Sequence, residues 1–169
     1  MIELMVLGFL VDGPLHGYEL RHRMERLHGY ARKISDGTLY PAIARLVAAG
    51  HIDRHAEDGS AGASRQTLTL TPSGRDQLES RLREANGHDI TDGDRFFVVL
   101  AFLSHLPNRG DRDAVLRRRL DFLSSPRPFF DDAADPDPYR AGMLTLARTY
   151  NHAQRAWIRS LLDDIKDNR

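Results

Sequence analysis

One segment of this chain stands apart from the rest by its period. Leu68 and Leu70 alternate with Thr67 and Thr69, the two-residue repeat of a half-buried strand, in a chain whose other apolar runs mostly recur at three or four. With His51–Glu57 ahead of it and the Gly/Ser/Ala stretch 58–63 between, it predicts a β-hairpin with a mobile tip. Thr71-Pro72 then opens a helix, a capping residue followed by proline at the first helical position. Leu78 and Leu82 carry its stripe, and Asn86-Gly87 ends it. On the other side of the hairpin, Ile2–Val11 is almost wholly apolar and stops at the Asp12-Gly13-Pro14 turn; periodicity alone does not separate a buried helix from a strand there. Leu20, Met24 and Leu27 mark a helix from Gly17 that Gly29 ends. Leu39, Ile43, Leu46 and Val47 mark another, closed by Gly50. Its start has two readings. Asp36 as cap leaves Pro41 one turn too deep, whereas Thr38 as cap keeps Pro41 among the N–H groups that lack helical partners. With Ile2–Val11 taken as a helix, the first 86 residues run helix, helix, helix, hairpin, helix.

The remainder predicts helices only. Residues 87–93 read as a polar linker and Asp94–Leu106 as a strongly apolar helix, stopped by Pro107-Asn108-Arg109-Gly110. Asp111 is the expected cap of a helix carrying Leu116, Leu120 and Leu123; a Pro/Asp-rich loop, Ser124–Pro138, follows. The last helix is expected from Tyr139 to about Lys166, with an apolar seam of Met143, Ala147, Tyr150, Ala153, Trp157, Leu161 and Ile165. At 1.5 Å per residue it is about 40 Å long, more than a domain of this size covers by itself, so a homodimer is expected. The residues expected at its interface are Phe96, Phe97, Leu100, Leu103, Met143, Tyr150, Trp157, Leu161 and Ile165, with the Ile2–Val11 helix joining them. The fold class is mainly α with a small β-hairpin wing. A winged helix-turn-helix domain over 1–86 is joined by the 87–93 linker to an α-helical dimerisation and possible ligand-binding domain over 94–169.

Composition narrows the function. The chain has no cysteine, which excludes disulfides, thiolate catalysis and cysteine-ligated metal, and fits a reducing cytoplasm. No apolar run approaches a membrane span, and Met1-Ile2-Glu3 lacks the basic head of a signal peptide. His51 and His55 lie about 13 Å apart on a strand, and His16, His22 and His28 diverge around a helix, so no metal site is expected. No nucleophile elbow, zinc-protease motif, P-loop or dinucleotide fingerprint occurs; neither an enzyme nor a cofactor is expected. The 24 Lys+Arg balance the 24 Asp+Glu, but between Arg21 and Arg65 eight basic residues face five acidic ones. That local excess fits a winged helix whose third helix enters the DNA major groove while the hairpin reaches the backbone or minor groove.

Particular residues sharpen this. Leu7-Gly8-Phe9-Leu10, Gly13-Pro14-Leu15-His16-Gly17-Tyr18-Glu19-Leu20, Gly37-Thr38-Leu39-Tyr40-Pro41-Ala42-Ile43, Arg45-Leu46 and Leu70-Thr71-Pro72-Ser73-Gly74 occur in order. Together they closely resemble the PadR-like transcriptional regulators, and the C-terminal half resembles the helical dimerisation region of that family's longer members. The resemblance implies a homodimer on a pseudo-palindromic double-stranded DNA operator, usually a repressor released by a small ligand. The family often has proline before the glycine of the third helix; this chain has Asp36, an acid placed beside phosphates.

Each candidate DNA contact has a plainer role beside it. Tyr40 bonds a phosphate or base edge, or is a half-buried aromatic. Ser35 and Thr38 offer an anion site at a helix start, or serve as caps. Arg45 meets a base or phosphate, or forms a solvated ion pair. Arg65 and His55 flank the hairpin tip, with Arg65 the better phosphate or minor-groove candidate. Tyr18 touches the backbone or packs. Gly37 and Pro41 share Tyr40's motif, and Gly13, Gly17 and Gly37 read most simply as turn residues. Trp157 anchors the dimer or, with Phe97 and the neighbouring Phe96, stacks on a small aromatic effector. The competing class is a winged helix that binds protein without specific DNA contacts.

Overall fold

A computed structural model describes residues 1–27, 33–57, 65–126 and 137–163. They fall into two compact units, Met1–Pro107 and Asn108–Arg169. The hairpin tip, Gly29, most of the Pro/Asp-rich loop and Ile165 lie outside the described residues.

The apolar N-terminal run is a helix, α1 (Ile2–Leu10), and it is the hub of the first unit. Leu4, Met5, Val6, Leu7 and Leu10 are all buried, and the helix packs against α2 (Gly17–Leu27), α3 (Asp36–Ala48), α4 (Pro72–Arg83) and α6 (Gly93–Phe102). Each such side chain removed from water contributes about 1.5–3 kcal/mol. Most of its apolar face is thus enclosed within the chain, while Ile2 and Phe9 stay partly exposed. Gly8 permits the closest of these approaches: a Cβ there would lie 2.4 Å from the Phe102 ring.

The hairpin forms as expected, β2 (Ile52–Glu57) antiparallel to β3 (Arg65–Leu70), with Ile52 opposite Leu70. A third strand, β1 (Leu15–His16), pairs with β3 on its other edge, giving the order β1-β3-β2. Two residues after a turn carry too little period to be recognised as a strand. Behind the hairpin, Thr71 caps α4 as predicted. Its hydroxyl accepts from the Gly74 N–H at 3.0 Å and donates to the Gly50 carbonyl at 2.8 Å. A Cβ on Gly74 would stand 2.0 Å from the His51 carbonyl oxygen, so the helix abuts the start of the wing only because residue 74 lacks one.

Both readings of the start of α3 are corrected. The cap is Ser35, in extended conformation, and the helix begins at Asp36. Pro41 therefore lies inside the helix. It is exposed, as is Gly37, whose carbonyl loses its N–H partner and is left to water. The expected polar linker is also corrected in part. It contains a short helix, α5 (His88–Thr91), with Ile90 buried and Asp89 ion-paired to Arg95 at 2.6 Å. The first unit continues through α6 and a 3-10 turn, Leu103–His105. Of the residues expected at a dimer interface, Phe96 and Leu103 are buried within the chain, Phe97 is exposed and Leu100 partly so.

In the second unit α7 (Arg109–Ser124) is capped by Asn108 rather than Asp111, the Asn108 side chain accepting from the Gly110 N–H at 2.7 Å. It packs against α8 (Pro138–Asp163), a helix of 26 residues and about 39 Å. Leu144 and Ile158 face α7 with Gln154 between them. Gln154 accepts from Nε of the buried Arg119 at 2.8 Å and donates to the Tyr150 hydroxyl at 3.1 Å. Among the described residues no helix is long and apolar enough to cross a membrane.

Candidate nucleic-acid interface

The buried residues of α3 are Leu39, Ala42, Ile43 and Leu46, which sets the outward face at Gly37, Tyr40, Pro41, Ala44, Arg45 and Ala48. The centre of that face carries only small side chains, so the helix backbone can come close to another surface. The longer groups stand at its edges. Tyr40 is half exposed, and its ring leans back over the start of α2. A Cβ on Gly17 would be 3.4 Å from Tyr40 Cε1 and 3.5 Å from its hydroxyl. A side chain at residue 17 would thus meet the Tyr40 ring at ordinary van der Waals distance. Tyr18, 61% exposed, stands alongside, its ring edge-on to His22 and within 5.6 Å of the Arg21 guanidinium.

Charges on this surface are tied in pairs. Asp36 accepts from Arg21 at 2.6 Å, so the acid that departs from the usual proline is neutralised from α2. Arg45 reaches the opposite way: its Nε donates to Glu3 of α1 at 2.8 Å, leaving both terminal nitrogens without a described partner. Glu3 also accepts from Arg81 of α4 at 3.2 Å, so one carboxylate links three helices. The hydrogen bond from Arg45, reinforced by the charges of both arginines, holds the Glu3 carboxyl below its ordinary value despite partial burial. At the head of α3 the Ser35 and Thr38 hydroxyls bond each other at 2.9 Å.

Between α3, the start of α2 and the hairpin lies an open cleft of about 570 Å³. Ile43 and Leu68 form its apolar part, Tyr18 and Tyr40 its aromatic part, and Gln66 and Arg54 its hairpin side. Strand alternation selects Arg54. Ile52 is buried, so Arg54, two residues on, shares its face, whereas His55 is on the other. His55 is exposed, does not line the cleft, and stands opposite Thr67 in the register; Arg65 stands opposite Glu57. The cleft thus brings Tyr18 and Tyr40 together with Arg54, a residue not among the sequence candidates. The signal for it was present, as the inward alternation from Ile52.

A family model described as the transcriptional regulator PadR-like family matches residues 6–80. The chain is similar to transcriptional regulator Rv3488 of Mycobacterium tuberculosis, 37% identical over 96 residues, covering 54% of this chain and 84% of that protein. It is also similar to an uncharacterised 37.1 kDa protein in a Streptomyces fradiae transposon, 38% identical over 84 residues; the match spans 50% of this chain but only 22% of that relative. Among solved structures, a transcriptional regulator from Clostridium thermocellum is 27% identical with a TM-score of 0.45, over 48% of this chain and 79% of its own. Bacillus subtilis PadR in complex with operator DNA is 21% identical with a TM-score of 0.49, over 96% and 98%.

Proposed function

Because this chain belongs to the PadR-like family of transcriptional regulators, we propose that it is a repressor that binds a pseudo-palindromic DNA operator as a homodimer. Operator recognition lies in the first unit, with α3 in the major groove and the hairpin on the adjoining backbone or minor groove. The observation that carries this reading is the outward face of α3. Its centre is bare of long side chains, Tyr40 and Arg45 flank it, and Tyr18 stands beside it at the mouth of the cleft. Small apolar groups such as Ala44 suit contact with thymine methyls, while the Arg45 terminal nitrogens suit a guanine edge or a phosphate.

The dimer forms through α8. Leu144 and Ile158 already face α7, yet Tyr139, Met143, Leu146, Tyr150, Ala153 and Trp157 remain exposed and follow one another at alternating steps of four and three. That repeat suits a second helix packed alongside. Trp157, the only tryptophan, reports on this seam and on a small aromatic effector alike. Its fluorescence is expected to change on dilution through the dimer dissociation range, and to be quenched saturably by an effector that releases DNA.

A labelled duplex titrated at several salt concentrations tests the central reading. Binding with a steep salt dependence, several phosphates per complex, supports it. Absence of duplex binding, or binding indifferent to salt, supports instead a winged helix that acts on protein partners.

A further inference from the structure

We propose that Arg54, acting with the phenols of Tyr18 and Tyr40, clamps one backbone phosphate of the operator per protomer in the cleft between α3 and the hairpin. The inference rests on the functional reading above and adds a contact site to it. It begins with topology. If α3 occupies the major groove and the hairpin the next minor groove, the strand separating those grooves must cross the space between the two elements. The structure leaves an open cleft of about 570 Å³ there.

The chemistry of the cleft suits a phosphodiester. Its two full charges are Glu19 and Arg54. Glu19 is turned to a local task, accepting the His16 backbone N–H at 3.1 Å. The Arg54 side chain has no ion pair or hydrogen bond among the described residues and is the one arginine that lines the cleft, whereas Arg21, Arg45, Arg81 and Arg95 in the same unit each hold an acid. A guanidinium kept unpaired beside two exposed phenols supplies a planar fork of N–H donors and two O–H donors. That is the donor set an anionic, tetrahedral oxygen acceptor takes. The apolar floor of Ile43 and Leu68 is compatible with the adjoining sugar.

The test uses the full chain and an operator duplex recovered by selection. Arg54→Ala should melt like the parent, because the side chain is exposed and unpaired. It should weaken operator and random duplex by the same factor, and lower the slope of log affinity against log salt by about one per protomer, about two for the dimer. Arg54→Lys should keep most of the slope. Replacing single phosphates with neutral methylphosphonates should expose one position per half-site that costs the parent clearly more affinity than it costs Arg54→Ala, where only the two phenols remain on that phosphate. An unchanged slope in Arg54→Ala, or equal methylphosphonate losses in both proteins at every position, overturns the clamp while DNA binding by the parent stands. Failure of the parent to bind any duplex overturns the functional reading, and the clamp with it.

Discussion

Gly74 occupies a position where a single methyl group has nowhere to go. The nearest atom to a Cβ is the backbone oxygen of His51 at 2.0 Å, followed by the Leu70 side chain at 2.8 Å. Gly74→Ala is therefore expected to destabilise the first unit by about 1–3 kcal/mol or more, read as a lower melting temperature, although alanine is the better helix former. An unchanged melt would show that the wing and α4 move apart freely. Glu3 gives a residue-level pH prediction. Its folded carboxyl titrates below the ordinary glutamate value near 4.5. Its ion pairs therefore stabilise fully above that pH, and the stabilisation is lost as pH falls through the folded value. Glu3→Gln should cost about 1 kcal/mol or less at pH 7, and the difference from the parent should narrow as pH falls below the ordinary glutamate value and close once it passes the depressed folded one. A constant difference across that range would assign the effect to packing instead. At this scale the sequence was legible where a residue's environment is local. Thr71 as a cap could be read from its neighbours. The links from Glu3 to Arg45 and Arg81 could not, because they join residues up to 78 positions apart.

Among the elements, the helix, helix, hairpin, helix that follow the Asp12-Gly13-Pro14 turn could be read from their apolar periods and the turn residues at their ends, whereas the almost wholly apolar Ile2–Val11 run has no period that separates helix from strand. The start of α3 could not. Pro41 argues against a helix beginning before Thr38, yet the helix begins at Asp36, because an exposed Gly37 carbonyl can turn to water when its helical donor is missing. Strand β1 and helix α5 escaped because two and four residues show no period. The face α3 presents separates contacts that read bases from those that hold the backbone. Arg45→Ala is expected to cost about 1–3 kcal/mol per contact and to relax preference at one base position in each half-site. Tyr40→Phe should weaken binding less than Tyr40→Ala, since the ring still packs over Gly17 and only the hydroxyl is lost. Competition binding with single-base operator variants measures both. Base preference unchanged but affinity lowered by Arg45→Ala would place that residue on a phosphate, and both unchanged would confine it to its Glu3 pair.

At the scale of the whole molecule, the long last helix was legible as more apolar surface than one chain covers, but the division of that surface was not. The expected seam mixes two faces: Ala147 and Leu161 are partly covered within the unit, while Met143, Tyr150 and Trp157 face out, together with Leu146, which the seam omitted. Leu146 is 73% exposed and makes the cleanest test of dimerisation. Leu146→Glu should leave the protomer's fold intact and shift sedimentation from dimer to monomer at micromolar concentration. A parent that sediments as a monomer would remove the dimer from the account. Loss of the dimer should in turn weaken operator binding far more than any single contact does, since the two half-sites are then bound without linkage.

Selection of duplexes from a random pool by this 169-residue chain tests the central claim most directly, because it asks at once whether the chain reads DNA and whether it reads with two-fold symmetry. The account predicts an enriched inverted repeat whose half-site centres lie about one helical turn apart, roughly 10 base pairs, or a multiple of it. Enrichment of no sequence, or of a motif without inverted symmetry, would contradict it.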